Sequence, residues 1–216
     1  MNIIVYNVHN MNNAGDKEDA LTLEILEVIE SQSHVTQRHL ADRLGVALGL
    51  ANSYLKRCIR KGLIKVQQAP ANRYLYYITP KGFAEKSRLT ARYLSASFDF
   101  YRQAGDSLSE IYRNCQGNGW HRVLFCGISE LAEIAAIRAV EHNIQVVGIF
   151  EPYAQQDRFL RLPVVRSLDD AQSHDACLLT AVHDAGDFYN LLIEEVAPGL
   201  VLVPSILGLN VKNHHP

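Results

Sequence analysis

From Lys81 to Cys115 the sequence contains no proline, and only Gly82 and Gly105 interrupt it as helix-weakening residues. Such a stretch predicts one long helix, with Gly105 as the point where it could break. Apolar residues recur along it every seven positions, at Leu94, Tyr101, Leu108 and Cys115, with Phe98, Ala104, Ile111 and Tyr112 between them. A seam of that kind requires a partner. The partner is either a second subunit, which is the expectation, or the protein's own two domains. The helix divides a 216-residue chain that is 48% hydrophobic, enough for two modest cores. Three segments are therefore expected: residues 1–80, a connecting and dimerising helix over 81–116, and a second domain over 117–216.

Charge separates the same halves. Met1 to Gln103 carries 14 Lys or Arg against 9 Asp or Glu, whereas Ala104 to Pro216 carries 7 against 14, although the net charge of the chain is only -2. Within His34 to Arg92 the balance is 12 basic to 2 acidic, as a phosphate-facing surface requires. No run reaches the ~18 apolar residues of a membrane helix, and Met1 to Asn13 lacks the order of a signal peptide. A cytoplasmic protein without membrane contact is expected. Cys58, Cys115, Cys126 and Cys177 lie too far apart for CxxC spacing and read as buried reduced thiols, and His214 and His215 as a tail. No metal site is expected.

In the N-terminal half, Asp16, Glu18 and Asp19 precede the apolar series Leu21, Leu23, Ile25, Leu26, Val28 and Ile29, placing acids at the positive end of a first helix. Thr36 opens a second helix, Gln37 to Leu44, which ends at Gly45. Ala47 to Lys61 reads as a third, closed by Gly62, with Ala51, Leu55 and Cys58 on one face and the opposite face left free. Leu63 to Gln67 and Tyr74 to Ile78 are strand-like and joined by the polar segment Gln68 to Arg73 with Pro70. Helix, helix, turn, helix, hairpin is the order of a winged helix-turn-helix.

The residues VTQRHLADRLGVALGLANSYLKRCIRKGLIKV and YYITPKGFAEK resemble MarR-type regulators, particularly those associated with exopolysaccharide gene clusters, over Leu21 to Tyr101. The resemblance implies a homodimer on double-stranded DNA, with Leu48, Gly49, Asn52, Ser53 and Lys56 approaching base edges in the major groove. Asn52 offers a donor and an acceptor that match the edge of adenine, and Ser53 can pair with several bases. Arg57, Arg60 and Lys65 are placed to neutralise phosphates. Arg73, beside the wing tip, would reach the minor groove or only the backbone. A winged helix can also serve as a protein scaffold alone, against which the basic stretch argues.

After the linker Gln116 to Trp120, the C-terminal half alternates strand and helix. Arg122 to Cys126 is a buried strand. Ser129 caps a helix running to His142, with Leu131, Ile134, Ala135 and Val140 inward. Ile144 to Phe150 is the second strand, Leu162 to Val165 the third, Ala176 to Ala181 the fourth and Leu200 to Pro204 the fifth, with a helix over Asp187 to Val196. The fold class is α/β overall, a winged helix-turn-helix joined by a long helix to a Rossmann-like parallel domain. The GxGxxG fingerprint is absent, only Gly127 standing in the first turn. Gly127, Glu151 and the segment Ala181 to Asp184 fall at the carboxyl ends of strands, where open α/β sheets bind ligands.

The segments VVGIFEP, LPVVRSLDDA and HDACLLTAVHD are similar to the nucleotide-sugar-binding subdomain of bacterial sugar O- and N-acyltransferases and to its counterpart in some sugar-phosphate transferases, over Val123 to Ser205. That resemblance implies phosphates at Gly127, Ile128 and Ser129, a nucleoside at Glu151, and closure over the base by Val182, His183 and Asp184. By their chemistry alone, Glu151 could bond a ribose hydroxyl or face solvent, His183 could contact a ligand or be a polar loop residue, and Ser129 could cap its helix and hold an anion with the same atom. No nucleophile stands with a paired base and the acyltransferase repeats are missing, so no enzymatic activity is expected. The chain therefore reads as a transcription regulator of polysaccharide or cell-surface glycan genes, controlled by a nucleotide or nucleotide-sugar effector. The alternative is a Rex-like repressor that senses NAD(H).

Overall fold

The computed structural model describes residues 14–32, 35–70 and 73–209, with the side chains of Ala14, Asp16 and Arg73 outside that description. The tail histidines His214 and His215 also lie outside it. The chain divides into two compact units, Met1–Ser97 and Phe98–Pro216. Among the described residues no helix is long and apolar enough to cross a membrane.

The N-terminal unit begins with α1 (Ala14–Ser31), in which Leu21, Leu23, Ile25, Leu26, Val28 and Ile29 are all buried. Helix α2 (Gln37–Leu44) starts where Thr36 accepts a hydrogen bond from the His39 amide at 3.1 Å, and stops where Gly45 turns left-handed at φ 61°. Helix α3 (Leu48–Arg60) follows after a tight turn and buries Ala51, Leu55 and Cys58 in the same core as Leu40 and Leu44. Strands β1 (Ile64–Ala69) and β2 (Arg73–Ile78) form an antiparallel hairpin in register from Ile64 opposite Ile78 to Ala69 opposite Arg73. The ladder carries β1 through Gln68 and Ala69, two residues beyond the sequence expectation. Ile64 and Val66 of β1 and their cross-strand partners Ile78 and Tyr76 of β2, alternate residues of each strand, pack on the core.

The start of α4 (Pro80–Gly117) is locked to the hairpin. Proline stands at its first position, where the missing amide costs nothing. The Thr79 hydroxyl donates to the carbonyls of Gly62 at 2.7 Å and Leu63 at 3.1 Å, and accepts from the Gly82 amide at 3.0 Å. Gly82 lies directly against the base of the hairpin: a Cβ there would come within 2.1 Å of the carbonyl oxygen of Leu63, just before β1, and 2.8 Å of Ile78 Cγ1 at the end of β2.

In the C-terminal unit, β3 (Arg122–Cys126), β4 (Gln145–Phe150), β6 (Leu162–Val165), β7 (Ala176–Leu179) and β8 (Val201–Leu202) pair in parallel, with β5 (Arg158–Phe159) antiparallel at one edge. The order β5-β6-β4-β3-β7-β8 makes the winding reverse between β3 and β7, as in open doubly wound sheets. Alternate residues supply two cores. Val123, Phe125, Ile149 and Leu178 face one side with helix α5 (Glu130–Glu141); Leu124, Cys126, Phe150, Cys177 and Leu179 face the other with Leu192 of helix α6 (Ala185–Glu195). All four cysteines are buried free thiols, and burial pushes Cys58 and Cys115 up to about 11.

The second half of α4 belongs to this unit. Ala104, Leu108, Tyr112 and Cys115 are fully buried, and the Tyr112 hydroxyl donates to the Ala135 carbonyl at 2.9 Å. That part of the expected seam is thus satisfied within the chain, whereas Leu94, Phe98 and Tyr101 remain exposed. The helix does not break at Gly105; the missing side chain there leaves room for the Arg138 guanidinium, whose Nη2 would stand 2.7 Å from a Cβ. Val140, expected inward, is 77% exposed; it lies nine residues beyond Leu131, half a turn out of phase, and Ala139 takes the inward place.

Replacing Gly82 by Ala should drive the new methyl into the Leu63 carbonyl and destabilise the N-terminal unit by about 1 to 3 kcal/mol. Thermal unfolding of the Gly82→Ala variant reads this as a lowered midpoint; an unchanged midpoint would mean that the hairpin and α4 are not held in this contact.

Candidate nucleic-acid interface

Helix α3 has one side fixed by the core, and its other side follows from helical geometry. Opposite Ala51, Leu55 and Cys58 runs a line of exposed residues at spacings of four, three and four: Gly49, Ser53, Lys56 and Arg60. A Cβ on Gly49 would meet no atom within 4 Å, so the helix backbone there stands open to whatever approaches it. Ser53, Lys56, Ile59 and Arg60 line a shallow surface depression along this side. Leu48 is also exposed, and Lys65 projects from β1 on the strand that follows.

Two of the residues singled out from the sequence sit differently. Asn52 is half-buried, and its Oδ1 is closed off from solvent with no hydrogen-bond partner. An amide in that position cannot present donor and acceptor together to a base edge without turning. Arg57 bonds Glu18 of α1 at 2.9 Å, and Lys61 bonds the same carboxylate at 3.1 Å. Their charges are committed to fastening α3 to α1. Arg73 opens β2, while its side chain, like the wing tip at residues 71–72, lies outside the described residues.

Ion pairing redistributes the basic stretch. Arg43 lies 3.9 Å from the buried Glu24 carboxylate, Arg88 pairs with Glu85 at 2.8 Å, Lys86 with Glu30, and Arg92 with Asp19. Three of these four acids come from α1. Arg38, Lys56, Arg60 and Lys65 are exposed and pair with no acid among the described residues. The unspent positive charge is therefore concentrated on α3 and its flanks. Arg38, near the start of α2, was missed by the sequence reading; its place in the helix preceding α3, the one that crosses the phosphate backbone in helix-turn-helix modules, is the signal that could have found it.

The second candidate cluster lies at the carboxyl ends of β3, β4 and β7. Gly127 takes a φ of 105°, and a Cβ on it would come within 2.5 Å of the Ala181 backbone. Its carbonyl accepts from the Thr180 hydroxyl at 2.6 Å, and the Ser129 hydroxyl donates to the Thr180 carbonyl at 2.5 Å while accepting from the Leu131 amide at 3.0 Å. Glu151 reaches across from the end of β4, and its Oε2 accepts from the Ile128 amide at 3.2 Å. Gly127, Ile128, Ser129 and Glu151 are thus brought together, with Thr180 as an unforeseen member. Val182 and Ile128 pack on the core, and His183 and Asp184 lead into α6, Asp184 at a φ of 51°. A carboxylate occupies the amide where the acyltransferase resemblance implies a phosphate.

Residues 18–65 match the family model of winged helix-turn-helix DNA-binding domains. The N-terminal unit is a winged helix-turn-helix. The match covers α1, α2, α3 and the start of β1, the elements that build the exposed line on α3. No curated protein matches the chain. Among solved structures, a MarR family transcription regulator is similar at 20% identity and a TM-score of 0.33, over 56% of this chain. The chain spans 65% of that regulator's length. Human N-acetylserotonin methyltransferase, solved with SAM, is similar at 13% identity and a TM-score of 0.32, over 92% of this chain and 79% of that one. Superpositions at these scores align local elements rather than a common fold.

Because Glu18 holds both Arg57 and Lys61, its removal should release two cations beside the exposed line. The Glu18→Gln variant is expected to bind duplex DNA more tightly at low salt, with the slope of log K against log salt steeper by about 1 to 2. Anisotropy titrations across salt concentrations measure it; an unchanged slope would mean that neither cation reaches a phosphate.

Proposed function

We propose that the chain is a homodimeric, DNA-binding transcription regulator of the MarR type that sets expression of polysaccharide or cell-surface glycan genes and carries out no catalysis. The observation that carries the DNA-binding part is the line Gly49, Ser53, Lys56 and Arg60 on a winged helix-turn-helix, with its cations unpaired while Arg57, Lys61 and Lys86 are neutralised. A phosphate backbone supplies the missing counter-charge. Dimerisation is supported by Leu94, Phe98 and Tyr101, which follow one another at helical spacing on α4 and are exposed. A two-fold dimer would present two copies of α3 to a palindromic site.

The effector in this reading is a nucleotide or nucleotide sugar at the carboxyl ends of β3, β4 and β7, and it acts by binding one dimer geometry more tightly than another. The reversal of strand winding beside Gly127 supports a site in this place. Glu151, anchored by the Ile128 amide, favours a contact to sugar hydroxyls over a grip on phosphate.

Two measurements test the proposal. Arg60→Ala should weaken binding to every duplex by a similar factor and reduce the salt slope by about 1, leaving sequence preference intact; a loss confined to particular sequences would contradict the role. Thermal unfolding with UDP-, CMP- and GDP-sugars, free nucleotides, NAD and NADH should show stabilisation by at least one sugar nucleotide. Stabilisation by NADH alone would replace the effector with a redox cofactor, and no shift with any of them would leave the C-terminal unit a dimerisation module.

A further inference from the structure

The first turn of α3 differs in chemistry from the rest of the helix. Ala47, Leu48, Gly49 and Leu50 are all exposed, Leu48 by 47% and Leu50 by 46%, and they precede every cation of the helix. Gly49 stands between the two leucines in open space, so the tip is narrow as well as apolar. Ala47 gives the helix no side-chain cap, so no polar side chain from the cap position stands in the tip. The first hydrogen-bonding side chains are Asn52, whose Oδ1 is enclosed, and Ser53.

In a helix-turn-helix, the N-terminal residues of the second helix are the ones that meet base edges. The major groove offers those residues one methyl group, the C5-methyl of thymine, among edges otherwise marked by donors and acceptors. Resting on the reading of α3 as the DNA-contacting helix, we propose that Leu48 and Leu50 read thymine methyl groups. The operator is then specified at the helix tip by apolar contact, with Ser53 as the polar reader behind it. Leu48 and Leu50 lie about 200° apart around the helix axis, on the two flanks of Gly49, so they face different bases across the groove. Charge decides the occupant. Lys56 and Arg60 continue the exposed side within two to three turns of the tip, which suits an apolar feature flanked by phosphates rather than an apolar protein surface or a second copy of this chain.

Thymine and uracil differ only by the methyl group, which gives a direct test. The full chain is used to select duplexes from a random-sequence library, and the best duplex is remade with dU in place of dT at one position at a time. At two or more positions the change should weaken binding by about fourfold, the worth of burying one methyl group. The variant carrying Leu48→Ala and Leu50→Ala should bind the dT and dU duplexes equally. A selected duplex that is bound equally well with dU at every position overturns the proposal, as does a double variant that still distinguishes dT from dU. If no duplex is enriched at all, the DNA-binding reading of α3 fails, and the leucine assignment fails with it.

Discussion

Burial of Ala51, Leu55 and Cys58 is the constraint on which the functional surface depends. These three residues are at most 3% exposed and lock α3 against the core made by α1, α2 and the hairpin. Once they are fixed, helical periodicity leaves no choice about which residues face outward: Gly49, Ser53, Lys56 and Arg60. The exposed line costs the core nothing, so its composition is free to answer to something other than folding. A small, polar and basic line beside an apolar tip is a surface arranged for a ligand with spaced charges.

Electrostatics refines that surface through contacts distant in sequence. Glu18 holds Arg57 and Lys61, Glu24 faces Arg43, and Asp19 and Glu30 take Arg92 and Lys86. The acids of α1 thereby neutralise the scaffold side, Arg57 included, and leave Lys56 and Arg60 of α3 unpaired. Apart from the pair of the buried Glu24, such surface pairs contribute little to stability, roughly 0 to 1 kcal/mol each. Their consequence is to decide where positive potential survives, which matters more for an anionic partner than for the fold.

Much of this was legible in the sequence because local chemistry carries it. Thr36, Gly45 and Gly62 mark helix ends by capping and left-handed turns, and the structure uses all three. The strand and helix order of the C-terminal half was readable from its apolar runs, although β5 was not, since two residues carry no periodicity. What escaped depends on neighbours that only the fold supplies. Charges counted within His34 to Arg92 could not reveal that four acids beyond that window cancel part of them. The enclosed Oδ1 of Asn52 follows from packing around α3, and the loss of Leu108 and Cys115 from the seam follows from the C-terminal core claiming them. At the sheet, the family resemblance implies phosphates at the turn after β3, where Thr180, Ala181 and Glu151 fill the space around Gly127 with the chain's own atoms.

The central claim is that duplex DNA meets this protein on the outer side of α3. Amide hydrogen exchange of the full chain, with and without a pool of random-sequence duplexes at low salt, tests it most directly. Protection is predicted to rise over Leu48–Arg60 and over the hairpin strands Ile64–Ala69 and Arg73–Ile78, with the C-terminal sheet unchanged. Protection confined to residues outside these elements, with α3 exchanging as it does alone, would contradict it.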